Sequence, residues 1–156
     1  MTRQRVTPDR STGPLRIRGH HLLCALGFRG RGYSEAFVAN MDRIVQRMRE
    51  RPRSTLVVLD SADSICAACP HLRTDGACRN KKASARIRVK DRAILRRLDL
   101  KPGTAISAAS AYERVRQAIT PALLTGKLCA KCRWKSLGYC AEGLGRLVDA
   151  GKKIGD

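Results

Sequence analysis

SEAFVANMDRIVQRMRERP (Ser34 to Pro52), followed at once by TLVVL (Thr55 to Leu59), decides the fold class. Ser34 is a natural N-cap, and Phe37, Met41, Ile44, Val45 and Met48 recur at i, i+4, i+7, i+8 and i+11. That spacing draws one apolar stripe along a helix, with Arg43, Arg47 and Glu50 off it, and Pro52 closes the segment. Thr55 to Leu59 is a short β-branched and apolar run, which reads as a buried strand. A helix feeding a strand predicts an α-rich α+β domain.

Other short elements flank this pair. Leu15 to Gly19 alternates apolar and basic residues as a short extended piece, and His20 to Phe28 suits a short helix ended by Gly27, Gly30 and Gly32. Downstream, Asp91 is read as capping a short helix carrying Ile94, Leu95 and Leu98, stopped by Lys101-Pro102-Gly103. Ser110 and Glu113 have capping-box spacing before a helix to about Ile119, and Thr120-Pro121 opens another turn. About six short helices and one or two short strands are expected. The chain divides into a flexible basic tail over 1–14, one domain over 15–150, and a polar C-terminal end over 151–156, with Gly143 onward already read as polar.

From Asp60 to Asp63 the chain turns into the chemistry. Cys66-Ala-Ala-Cys69-Pro70-His71 is followed by Cys78, and Cys129-Ala-Lys-Cys132 by Cys140. In both groups a glycine, Gly76 or Gly138, stands two positions before the third cysteine. Two residues between thiols let a tight turn present both sulfurs to one ion or cluster. A single C-x-x-C is ambiguous, but two with matching third cysteines point to ligation of a metal. Cys24 belongs to His20-His21-Leu22-Leu23-Cys24, where a helix would put His20 and Cys24 on one face. Two four-ligand sites need eight donors, which the seven cysteines and one of His20, His21 and His71 would supply.

The compartment sets what thiols are for. The N-terminal stretch MTRQRVTPDRSTGPLRIRG carries positive charge but no apolar run or small-residue cleavage site. Leu22 to Phe28 is too short and interrupted for a signal or membrane helix. The expectation is a cytoplasmic protein with no membrane partner, whose thiols stay reduced, and seven cysteines do not close into disulfides.

Spacing alone leaves zinc and iron–sulfur open. Four motifs narrow the choice: R-G-H-H-L-L-C (Arg18 to Cys24), G-F-R-G-x-G-Y-S (Gly27 to Ser34), I-C-A-A-C-P-H-L (Ile65 to Leu72) and C-x-x-C-R-W-x-x-L-G-Y-C (Cys129 to Cys140). In that order they resemble the hallmarks of an uncharacterised bacterial and archaeal family, a domain of unknown function taken to bind iron–sulfur clusters. The likeness runs from about Leu15 to Leu147. It implies ligation of a cluster by Cys24, Cys66, Cys69, Cys78, Cys129, Cys132 and Cys140, and it implies no reaction. One or two 4Fe–4S clusters rank first, since each group of three thiolates wants a fourth donor. The functional expectation is electron transfer, redox sensing or cofactor handling, with zinc as the alternative metal.

Charge is the second feature. Thirty-two Lys and Arg against 13 Asp and Glu give a formal net charge of +19. Lys81, Lys82, Arg86, Arg88, Lys90, Arg92, Arg96 and Arg97 form the densest run. Docking to an acidic redox partner or a solvated surface ranks above nucleic-acid binding, because stacking aromatics are nearly absent and Trp134 and Tyr139 lie inside the second cysteine group. A zinc-stabilised nucleic-acid module, with Asp91 to Ile119 as a helix-turn-helix, is the alternative. Enzyme chemistry ranks lower still: it would need an open cluster iron or a nucleophilic Cys24 beside His20 or His21, and Asp60, Asp63 and Asp75 read as turn residues.

Overall fold

The structure, a computed structural model, describes residues 13–128 and 138–154. It is α-rich α+β. Strand β1 (Leu15–Arg18) leads into helix α1 (Gly19–Leu26), then α2 (Glu35–Glu50) and β2 (Thr55–Leu59). A 3-10 turn at Cys66–Ala68 precedes α3 (Lys81–Arg97), β3 (Ala105–Ser107) and α4 (Ala108–Ala118). A one-turn helix α5 (Pro121–Leu123), a π turn (Leu124–Leu128) and α6 (Tyr139–Ile154) complete the described chain.

The sheet has the order β1-β2-β3. β1 and β2 pair in parallel with Leu15 opposite Leu56 and Arg18 opposite Leu59, and β3 joins β2 antiparallel. Leu15, Ile17, Leu56 and Val58 are all fully buried, so alternate residues of both strands face the core. The α2 stripe docks as its spacing dictates: Phe37, Met41, Ile44, Val45 and Met48 are buried, and Ser34 Oγ accepts from the Phe37 N–H at 3.1 Å. Thr120 likewise accepts from Leu123 with Pro121 in the first helical turn.

α1 is the central helix, packed on α3 and α6. Its approach to α6 needs bare backbone on both sides. A methyl on Gly27 would collide with the backbone of Cys140, and one on Gly143 with the Leu26 carbonyl. Tyr112 Oη on α4 donates to the Leu22 carbonyl at 3.0 Å, tying a third helix to α1.

Several expectations are corrected. The sheet has three strands rather than one or two, because Ala105–Ser107 gains strand character only by pairing with β2. That strand between α3 and α4 also removes the helix-turn-helix reading of Asp91 to Ile119. Asp91 does not cap the helix that carries it: α3 begins ten residues earlier, where Asn80 Oδ1 accepts from Ala83 N–H at 2.8 Å. α4 is capped by Ser107, whose Oγ accepts from Ser110 N–H, and Glu113 pairs instead with Arg116. The segment from Gly143 is a helix that continues to Ile154, anchored by buried Leu144, and not a polar end.

Candidate metal centre

The centre forms where the two parallel strands end. β1 delivers Arg18 and runs directly into α1, which carries His20, His21 and Cys24. The loop after β2 is laced to β1: Ser64 N–H donates to the Arg16 carbonyl (2.9 Å), Arg16 N–H to Ser64 Oγ (3.0 Å), and Arg18 N–H to Asp63 Oδ2 (2.8 Å). Asn40 on α2 fixes the same loop through its Nδ2 to the Ser64 carbonyl at 2.9 Å.

The first cysteine group then folds locally. Asp63 Oδ1 accepts from Cys66 N–H at 2.9 Å, and Cys69 N–H donates back to the Cys66 carbonyl at 2.9 Å, closing the tight turn that C-x-x-C spacing predicts. Leu72 bridges antiparallel to Cys78, and Arg79 N–H donates to the His71 carbonyl at 2.8 Å, so residues 71–79 fold back as a narrow loop. Gly76 turns this loop at φ +82°, and Gly138, the matching glycine before Cys140, has φ +72°. Both sit in the left-handed region that glycine reaches without a Cβ penalty, so the shared glycine of the two groups has a shared conformational reason.

These segments converge on one cavity of about 310 Å³. Cys24, Cys66, Cys69, Cys78 and Cys140 all line it, as do His20, His21 and His71. Cys140, the last cysteine of the second group, thus meets the first group in one place, while Cys129, Cys132 and Trp134 lie outside the described residues. None of the five described cysteines is in a disulfide. Phe37, Met41 and Ile87 give the cavity an apolar wall.

Two buried carboxylates that the sequence reading assigned to turns or caps hold the histidines. Asp91, fully buried, accepts from His20 N–H (2.9 Å), meets His20 Nδ1 (2.7 Å) and accepts from Arg18 Nε (2.7 Å). Asp63 Oδ2 meets His21 Nδ1 at 2.8 Å. The two imidazoles lie 4.3 Å apart, each with Nδ1 committed to a carboxylate, which leaves Nε2 as the nitrogen for a ligand. Carboxylate-oriented histidines of this kind are the usual supporting shell of metal sites. Asp75, by contrast, keeps the turn role expected of it, accepting from Ala77 N–H at 3.0 Å, and Asp60 pairs with Arg92.

Charge in the centre is finely divided. Burial and then the charge of Asp63 push the Cys66 thiol far up, and burial raises Cys69 as well. A hydrogen bond involving Cys24, against the effect of burial, brings Cys140 down to about 7. Burial, followed by the charge of His21, lowers His20 to about 4 despite its carboxylate. Burial acting alone would raise Asp63 and Asp91; their histidine partners, with the backbone N–H groups and Arg18, hold both below the carboxylate range. Arg18 stays charged although buried, since Asp91 and Cys66 outweigh its desolvation, and its Nη1 donates to Cys66 Sγ at 3.8 Å.

Sequence reasoning missed Arg18, Asp63 and Asp91. Asp91 did leave a signal: Ile87, Asp91, Ile94, Leu95 and Leu98 repeat the i, i+4, i+7, i+8, i+11 stripe of α2, so a carboxylate stands where an apolar residue belongs. Asn40 interrupts the α2 face in the same way.

The fold and the centre define a small α+β protein built around a thiol- and histidine-lined cavity. At its wall His21 and Cys66, with Asp63 behind them, bring ligand atoms within 4.8 Å of one another, a candidate metal site. Residues 32–138 match the family described as protein of unknown function (DUF1284), and the chain belongs to that family. The matched segment holds Cys66, Cys69, Cys78, Cys129 and Cys132; Cys24 and Cys140 flank it. No curated protein and no solved structure matches the chain. No helix among the described residues is long and apolar enough to cross a membrane.

Proposed function

We propose that this protein binds an iron–sulfur cluster of the 4Fe–4S type in the thiol cavity and serves in electron transfer, redox sensing or cofactor handling. One observation carries the reading: five cysteines from three separated stretches of chain line a single cavity with no disulfide among them. Such a soft, thiol-rich donor set can supply the four thiolates that a cluster takes. Thiolates drawn from Cys24, Cys66, Cys69, Cys78 and Cys140 would hold the group, with Cys129 and Cys132 available from the same cysteine group as Cys140. When bound, the cluster supplies a one-electron donor and acceptor.

The chain's own residues do the rest. Asp63 and Asp91 fix His20 and His21 in orientation. Arg18 donates to the Cys66 sulfur, a hydrogen bond of the sort that tunes a cluster's potential. Phe37, Met41 and Ile87 exclude water from one wall.

A second reading, a single zinc ion, is favoured by the His21, Asp63 and Cys66 grouping. Against it, both oxygens of Asp63 are already engaged by Arg18 N–H, Cys66 N–H and His21, so ligation there would break bonds that hold β1 to the loop. Anaerobic purification decides between them. A brown protein absorbing near 400 nm, with iron and acid-labile sulfide and an EPR signal on reduction, is expected; a colourless protein with stoichiometric zinc overturns the cluster. Cys66→Ser and Cys69→Ser should each lose iron, and iron content equal to the parent in both variants removes these thiols as ligands.

A further inference from the structure

The cavity holds more positive charge than its own carboxylates answer. Arg18, Arg29, Arg31, Arg79 and Lys90 line it, and no Asp or Glu among the described residues does. Arg18 is matched by Asp91 behind the wall, and Arg29 by Glu142. Arg31, Arg79 and Lys90 have no carboxylate partner among the described residues. A four-thiolate 4Fe–4S centre would carry a charge of about −2, which three cations more than offset.

Arg79 is also placed at a cost. Its φ of +60° is a left-handed conformation that non-glycine residues seldom adopt, and such outliers collect at ligand clamps. The Arg79 N–H to the His71 carbonyl keeps the backbone there, and the guanidinium lies over the Tyr33 ring, 5.9 Å from its centroid. Tyr33 in turn stands edge-on to His71 at 4.6 Å. The result is a guanidinium braced at the rim of the cavity, on the loop that carries Cys78. Lys90 enters the rim from α3, one position before Asp91, and its charge is felt by both His20 and Cys140.

We propose that Arg79, Lys90 and Arg31 form an oxyanion-binding site at the rim of the thiol cavity, which takes the carboxylate or phosphate group of a small molecule. Guanidinium groups suit both oxyanions through paired N–H donors, and an ammonium adds a point charge beside them. A ligand held there lies against the thiol wall, within the same cavity as the histidines. This deepens the functional reading above and rests on it in taking the cavity as the working site.

The test uses the anaerobically purified full chain, with iron and sulfide measured on every sample. Inorganic phosphate and succinate are titrated calorimetrically at constant ionic strength. Saturable binding of either supports the site, and the arm that binds identifies the group recognised. Arg79→Gln and Lys90→Gln should each weaken binding about tenfold or more while keeping the parent's iron and melting temperature. Arg96→Gln, exposed on α3 and away from the cavity, should bind as the parent does. Absence of saturation with both anions overturns the proposal, as does unchanged affinity in both rim variants. Saturable binding, lost in the rim variants, by a parent that lacks iron and sulfide would leave the oxyanion site standing and refute the cluster instead.

Discussion

Asp91→Ala tests whether the buried carboxylate holds the centre together. Asp91 is fully buried and takes three donors: Arg18 Nε at 2.7 Å, His20 N–H at 2.9 Å and His20 Nδ1 at 2.7 Å. Removing it strands the guanidinium of Arg18, itself only 3% exposed, without an anion. Breaking a buried pair from one side costs about 3–5 kcal/mol, because the surviving charge keeps its desolvation penalty and loses its partner. With a urea m-value of about 2 kcal/mol/M, the unfolding midpoint should fall by about 2 M at unchanged slope. The companion variant Arg18→Met/Asp91→Leu removes both charges together and should recover most of that loss, since an apolar pair of similar volume often equals a buried ion pair. The assay is urea unfolding followed by far-UV circular dichroism under anaerobic conditions. A loss below about 1 kcal/mol in the single variant, or a double variant no better than the single, refutes the reasoning.

Gly143→Ala should destabilise by about 1–3 kcal/mol, because the added methyl meets the Leu26 carbonyl across the α1–α6 contact. Gly145→Ala, two residues on with open space around it, should stabilise by about 0.5–1 kcal/mol through helix propensity, and equal melting temperatures for the two would sink the close-packing argument. His20, lowered to about 4 in the folded protein, binds fewer protons than the unfolded chain between that pH and its ordinary 6.5. Stability should therefore drop by about 3 kcal/mol as pH falls through this window, His20→Gln should flatten the drop, and a parent equally stable at pH 7 and pH 4.5 contradicts it. Asp63 and Asp91 are also depressed, so their contribution is present above the ordinary carboxylate pKa and is lost at still lower pH, continuing the same decline.

How much of this was legible in the sequence depends on the range of the forces involved. The α2 stripe, its Ser34 cap, the β2 run and Thr120-Pro121 were readable because cap and period act within a few residues. The three-residue β3 has no pattern of its own and exists through its partner β2. The start of α3 was missed because Asp91 offered a plausible cap while Asn80, ten or more residues back in a basic stretch, is the one that works. α6 hid behind three glycines that lower helix propensity, although Leu144, Leu147 and Val148 keep a helical spacing. The cysteines and histidines of the cavity were visible by spacing. Their supports were not, since Asp91 and Asp63 reach Arg18 across 73 and 45 positions of sequence.

That long reach explains why fold and centre stand or fall together. The parallel pairing sets Ile17 opposite Val58 and Arg18 opposite Leu59, with the alternate residues Ile17 and Val58 buried. A slip by one residue would turn the buried set of β1 to the wrong face, so burial of Leu15 and Ile17 locks the register. Once locked, the register fixes where β1 ends, and the Arg18 N–H comes to Asp63 Oδ2 at 2.8 Å. The same carboxylate oxygen meets His21 Nδ1, and its twin accepts the Cys66 N–H that begins the cysteine turn. One buried side chain thus ends a strand, orients a histidine and starts a thiol loop. His20, His21 and Cys66 are therefore held in place by bonds the fold needs for itself, with both histidines oriented and the Cys66 turn formed by the chain alone.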